Sequence, residues 1–159
     1  VPALQNGQVD AIVFSRIRYY ALKAAGFPIG QILSDSYLPS FGNIVVTNPD
    51  YLTKNRAIVR NFTSAFDKGI KFASRRPIEA VDGAIARYAP SFVGQNAFIT
   101  NIIRNVFVKD LWNSGFTRDN GYGYGDLKAW QSLIDTQAKF GIIPKSFDAA
   151  TLVVNPKDA

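Results

Sequence analysis

The sequence predicts an α/β fold that turns mainly helical after residue 48, and three features predict it. Residues 9–14 (VDAIVF) form a short apolar, β-branched run of the kind that makes a buried parallel strand. Residues 15–25 (SRIRYYALKAA) then repeat apolar side chains at helical spacing, so strand and helix follow one another. From Asn48-Pro49 onward, successive stretches carry the helical period, each opened by a capping residue or a proline.

Taken in order, residues 2–5 read as the tail of a helix before the turn Asn6-Gly7. The helix over 15–25 presents Ile17, Tyr20, Ala21 and Ala24 on one side and stops at Gly26, with Pro28 beyond. Residues 31–33 form a candidate short strand. A Ser, Pro and Gly-rich segment (residues 34–43) then leads into a further strand at 44–47. Asn48 caps and Pro49 opens the longest helix, which is expected to reach about Ser74 with Ile58, Phe62, Ala65, Phe66 and Ala73 on its buried face. Pro77 starts the next, with Ala80, Val81, Ala84, Ile85 and Tyr88 inward. Residues 93–111 form a third, burying Phe98, Ile102, Val106 and Ile103. Beyond a glycine-rich loop at 113–125, Asp126 caps a fourth helix with Leu127, Trp130, Leu133, Ile134 and Ala138 inward and Gly141 at its C′ position. Residues 142–159 read as a loose tail. No internal repeat interrupts this pattern.

Two or three strands cannot make a covered parallel sheet, so further strands are expected upstream. The start at Val1-Pro2, with no methionine and no basic-then-apolar leader, reads as a processed, truncated or proteolysed end.

Composition narrows the function classes. The 159 residues are 47% hydrophobic, and no apolar run approaches the length of a membrane span, so a soluble globular chain is expected. The chain has no cysteine, which removes thiolate nucleophiles and Cys-based zinc sites, and no histidine, the commonest general base and transition-metal ligand. The acidic residues show no metal-ligating spacing, and no G-x-S-x-G elbow accompanies the serines, so neither a catalytic constellation, a metal site nor a cofactor is expected. A net charge of +6 raises nucleic acid as a partner, but Lys and Arg are dispersed, with only Arg75 and Arg76 adjacent; solvated faces are the expectation, and no nucleic-acid contact. The G-x-G-x-G of residues 121–125 follows no strand and lacks the pattern of a phosphate loop.

Residues 4–11 (LQNGQVDA) resemble the L-x-x-G-x-V-D-A segment of type II periplasmic solute-binding proteins of ABC importers, in the group of nitrate, sulfonate, taurine and thiamine-precursor binders. Ala65, Gly69, Phe72, Ala73, Pro77, Ala80 and Val81 stay in step with that family's A-x-x-x-G-x-x-F-A-x-x-x-P-x-x-A-V pattern. Tyr124-Gly125 with Trp130, and Gly141-Ile142-Ile143, resemble its closing G-x-x-x-x-x-W and G-x-I elements. The resemblance covers nearly the whole chain, although family members are longer, so it implies the C-terminal half of a two-lobed fold. On that reading, residues 1–36 end lobe 2, 37–47 are the return crossing, and 48–159 are the C-terminal part of lobe 1.

The resemblance implies a periplasmic or extracellular solute-binding component, with or without a lipid anchor, that closes around a small molecule and is read by a membrane permease. Phe14, Ser15 and Arg16 stand at a strand end where ligands of open α/β sheets bind, and Arg16 can hold a carboxylate, sulfonate or phosphate through paired hydrogen bonds. Ser15 can equally cap the following helix and Arg16 be solvated. Tyr37, Phe41 and Asn43 on the crossing can supply an aromatic wall and a polar handle, with Tyr122 or Tyr124 reaching in from the glycine-rich loop. An anionic or heteroaromatic solute suits these residues. Alternatives are a thiamine-pyrimidine-synthase-like enzyme, whose histidines are absent here, and the effector domain of a transcription regulator. An isolated half would self-associate or pair with the missing half.

Overall fold

The computed structural model describes residues 1–34, 37–38 and 41–156. They separate into two compact units, Val1–Ile32 and Leu33–Ala159. The crossing expected over 37–47 includes residues 39 and 40, and the tail ends in residues 157–159; these positions lie outside the described residues.

In the first unit, α1 (Pro2–Gln5) is a single turn with proline at its start, and α2 (Arg16–Ala24) buries Leu22. The helix stop read at Gly26 is borne out. Phe27 N–H donates to the Leu22 carbonyl (3.1 Å) and Gly26 N–H to that of Lys23 (3.0 Å), with Gly26 at φ 83°. That double bond satisfies two of the carbonyls a helix end leaves open, and the left-handed residue it requires is glycine because it has no Cβ to clash.

The strand expected over 9–14 does not form. None of the described residues belongs to a ladder, Val13 is fully exposed and Phe14 is 59% exposed. Residues 31–33 and 44–47 behave alike: Ile32, Ile44, Val45 and Val46 all face solvent. β-branched composition suits a residue to a pleated surface, but a strand exists only when a neighbour accepts its backbone hydrogen bonds. Among the described residues the expected α/β fold is therefore replaced by a mainly helical one.

The second unit is built from helices. Asn48 caps α3 (Pro49–Lys54), its Oδ1 accepting from the amides of Asp50 (2.8 Å) and Tyr51 (3.3 Å). The single long helix expected from there is broken at Asn55, which sits at φ −130° and ψ 35° and donates through Nδ2 to the Tyr51 carbonyl. An asparagine that bonds the preceding turn competes with helix propagation. The chain resumes in α4 (Arg56–Arg75), followed by α5 (Pro77–Tyr88) and α6 (Asn96–Ile102). α6 runs directly into a π-helical segment, Ile103–Leu111, whose wider register is visible where Trp112 N–H reaches back five residues to the Phe107 carbonyl (2.6 Å).

α4 packs on α5 and on the π-helical segment, and α5 packs on α6. Val81, Ile85 and Val106 are buried as the period predicts, but Tyr88 (82% exposed) and Phe98 are not. Thr100 is the buried polar residue of α6. The expected inward face of α4 is also open: Ile58, Phe62 and Phe66 are each more than half exposed.

The loop expected over 113–125 contains a further short helix, α7 (Gly115–Asn120), capped by Ser114 Oγ on Thr117 N–H (3.0 Å). α8 (Leu127–Lys139) is capped by Asp126 as expected, and Ile134 is its buried residue. Gly141 takes the C′ position at φ 69°, with Ile142 N–H on the Gln137 carbonyl and Gly141 N–H on that of Ala138.

Because Val106 is the most deeply buried large side chain described, Val106→Ala should lower unfolding free energy by about 2 kcal/mol. Tyr88→Ala, at an exposed position, should change it by no more than about 0.5 kcal/mol. Urea denaturation of the two variants beside the parent chain measures both.

Candidate functional site

The second unit carries an aromatic cluster at the start of α8. The Asp126 carboxylate accepts from the amides of Lys128 (2.9 Å) and Ala129 (3.4 Å), fixing the first turn. Trp130 follows one turn in, and its ring lies flat on Phe41, with centroids 4.2 Å apart and planes at 11°. Trp130 and Phe41 are both half-buried, so the stack is reachable from solvent. Trp130 is thus part of an accessible aromatic platform, not the buried core anchor its sequence position suggests.

The glycine-rich loop closes against this platform through Gly125. Gly125 N–H donates to Asn155 Oδ1 (2.7 Å). A β-carbon at Gly125 would stand 2.7 Å from Val153 Cγ1 and 3.0 Å from Trp130 Nε1, so only glycine lets the tail, the loop and the indole meet here. The Tyr124 ring folds back to within 3.9 Å of where a Gly121 side chain would begin, and Pro156 lies beside Gly123. Tyr122 and Tyr124 are half-buried. Of the residues singled out in sequence, Phe41 therefore stacks on Trp130, while the Tyr124 ring turns to Gly121 within the loop. Tyr37 is 82% exposed and Asn43 is exposed, neither drawn into the stack.

Asn155, thirty residues from its partner, was not legible as a site residue because no local pattern marks it. The tail that carries it is anchored, in contrast to the expected loose end. Ala149 is buried in a short 3-10 turn, Ala149–Thr151, and its amide donates to Gln131 Oε1 (2.9 Å). Gln131 Nε2 donates to the Phe147 carbonyl (3.0 Å) and to Asp135 Oδ1 (2.9 Å), and the Ser146 hydroxyl donates to the same carboxylate oxygen. A shallow, open concavity of about 440 Å³ runs along this face of α8, lined by Lys128, Gln131, Ser132, Asp135, Thr136 and Lys139.

In the first unit, Phe14, Ser15 and Arg16 lead into α2. Ser15 occupies the N-cap position in extended geometry but its side chain makes no cap bond, so capping is not what it does here. Arg16 is half-buried, and its Nε is buried with no acceptor among the described residues. A buried guanidinium N–H without a partner is costly, and an anion would satisfy it. The neighbouring Arg18 places its guanidinium 5.3 Å from the Phe14 ring centroid. Tyr19 and Tyr20 meet edge to face at 5.4 Å. Among the described residues no group of acidic side chains could hold a metal ion.

Residues 1–80 match the family model described as NMT1/THI5 like. This chain belongs to that family. The NMT1/THI5-like family falls within the periplasmic binding protein group, and it includes solute-binding proteins of ABC transporters as well as proteins of thiamine synthesis. The match takes in the 4–11 segment, α2 and α4 through the start of α5; the Tyr124-Gly125, Trp130 and Gly141–Ile143 elements of the resemblance lie beyond it. Comparison with curated proteins and with solved structures gave no significant match. Family membership makes this a solute-binding, transport-related chain with a small molecule as its partner.

Gly125→Ala should separate the tail from Trp130 and lower stability by about 1–3 kcal/mol, with a shift in tryptophan emission that thermal melts followed by fluorescence will report. The Asp135 carboxyl is held below the usual carboxylate range, first by the Ser146 hydroxyl and then by the Gln131 amide. A depressed folded-state value contributes stability that is present above the unfolded value and is lost as pH falls through the folded one. Hydrogen exchange at the Ala149 amide should therefore accelerate as pH is lowered below about 4, after correction for intrinsic exchange, and Asp135→Asn should abolish that pH dependence.

Proposed function

We propose that this chain belongs to the solute-binding component of an ABC importer, exported to the periplasm or cell exterior, which captures a small anionic or heteroaromatic solute for a membrane permease and performs no chemistry on it. Membership of a family that includes solute-binding proteins of ABC transporters supports a binding function. The observation that carries the choice of solute is the unpartnered, buried Nε of Arg16, a donor placed where an oxyanion would complete it. The Phe41 and Trp130 stack offers a flat apolar surface for a ring.

Each feature by itself suits one property of such a solute, Arg16 an acid group and the aromatic stack a planar ring. Arg16 meets charge and geometry together, since a guanidinium presents parallel donors to a carboxylate or sulfonate. The thiamine-synthesis members of the family make the enzyme reading the one to test against. The chain contains no histidine among its 159 residues to serve as a general base or metal ligand.

A thermal-shift screen of small carboxylates, sulfonates and heteroaromatic acids tests the proposal. A binder should raise the melting temperature, quench or shift tryptophan emission, and be recovered unchanged after incubation. Arg16→Ala should weaken an anionic binder by roughly tenfold or more. A solute consumed on incubation would make the protein an enzyme, and tight binding indifferent to Arg16→Ala would remove the anion site.

A further inference from the structure

The one adjacent pair of basic residues in the sequence, Arg75 and Arg76, stands at a junction of three elements. A cavity of about 220 Å³ opens where the end of α4, the start of α5 and the π-helical segment meet, lined by Arg75, Arg76, Pro77, Ile78, Glu79 and Arg104. α4 packs on both of the other elements, so the positions that carry the three guanidinium groups are set by helix packing. None of the four charged residues lies on the apolar faces that the helical period turns inward, so the cavity owes nothing to what covers those faces.

Local reasons account for two of the arginines. Arg75 stands in the last turn of α4, where a cation suits the helix dipole. Arg76 Nη1 donates to Glu79 Oε2 (3.3 Å), one turn along. Arg104 has neither reason. It comes from the π-helical segment and brings a third positive charge to the same cavity. Among the described residues neither Arg75 nor Arg104 has an acceptor, so three guanidinium groups face a single carboxylate and leave a net charge of +2.

We propose that this cavity binds a phosphate-type dianion, either inorganic phosphate or the phosphate group of a small ester. The guanidinium fork matches two oxygens of a tetrahedral oxyanion, and forks arriving from different elements can share one such group. Charge sets the class of ligand: a dianion cancels the excess that Glu79 leaves, whereas a monocarboxylate cancels half of it. Size agrees, since the volume is about seven times a water's share of the liquid, room for one phosphate group and a few bridging waters. Glu79 opposes the ligand and competes with it for Arg76. The site is separate from that proposed at Arg16, which belongs to the first unit while all four charged residues here belong to the second.

Phosphorus NMR titration of the full chain at pH 8 in about 50 mM salt, with inorganic phosphate in one arm and glycerol phosphate in the other, tests it. At least one of the two should show saturable binding, and the arm that binds identifies the source of the phosphate group. Arg75→Gln with Arg104→Gln should weaken binding at least about tenfold while the circular dichroism stays that of the parent. Glu79→Gln should tighten it roughly threefold or more. Asp119→Asn, which adds the same charge at an exposed position on α7, should leave the affinity unchanged, as should Arg16→Ala. Absence of saturable binding in both arms would overturn the proposal, as would an affinity that the double Arg variant leaves intact. Equal tightening by Glu79→Gln and Asp119→Asn would reduce the effect to net charge, and loss of binding in Arg16→Ala would move the ion to α2; either result overturns the cavity as the site.

Discussion

The approach of Val153 and Trp130 to the bare backbone of Gly125 holds the second unit's site together. It joins the glycine-rich loop, the first turn of α8 and the C-terminal tail, and Asn155 secures it by accepting the Gly125 amide proton at 2.7 Å. The indole so placed is the surface on which Phe41 lies. Loop, helix cap and tail each have their own local reasons to exist, but the aromatic platform exists only where all three come within van der Waals reach. The Gln131, Asp135 and Ser146 network serves the same end at a distance, since it docks the tail on α8 before the tail reaches the loop.

The distribution of burial gives the rest of the chain its character. The aliphatic interior is small, centred on Val81, Ile85 and Val106 among α5, α6 and the π-helical segment, with Ile134 and Ala149 where the tail meets α8. Against this stands a large exposed apolar area on α4 and along residues 44–46. A helix needs only its own backbone to satisfy its hydrogen bonds, so α4 forms with half its apolar surface in water. A strand has no such independence, which is why the β-branched segments stay irregular.

Charge and aromatic surface recur together in both units. Arg16 and Phe14 stand at the entry to α2, and Lys68 and Arg75 flank the phenylalanines of α4. In a chain of net charge +6, the first grouping is partly withdrawn from water and the second lies open to it. The difference between them is burial: a guanidinium N–H withdrawn from water selects a partner that can follow it in, while exposed cations act through long-range, salt-sensitive attraction.

The sequence by itself determined those helix starts and stops that rest on a single capping residue or glycine. Asn48, Asp126, Gly26 and Gly141 act within one turn of themselves, and their chemistry is complete in a few residues, so each was found where it was read. The family was likewise legible in the 4–11 segment and the stepped pattern from Ala65 to Ala80. Phe14, Arg16, Phe41 and Tyr124 could be nominated from chain position, but not sorted by what they touch. Tertiary structure alone decided that residues 9–14 and 44–47 remain without a ladder and that Tyr88 and Phe98 face outward. It alone brought Asn155 to Gly125 across thirty residues. Periodicity reports which side chains share a face, whereas the surface that covers that face depends on contacts distant in the chain, and no local pattern encodes them.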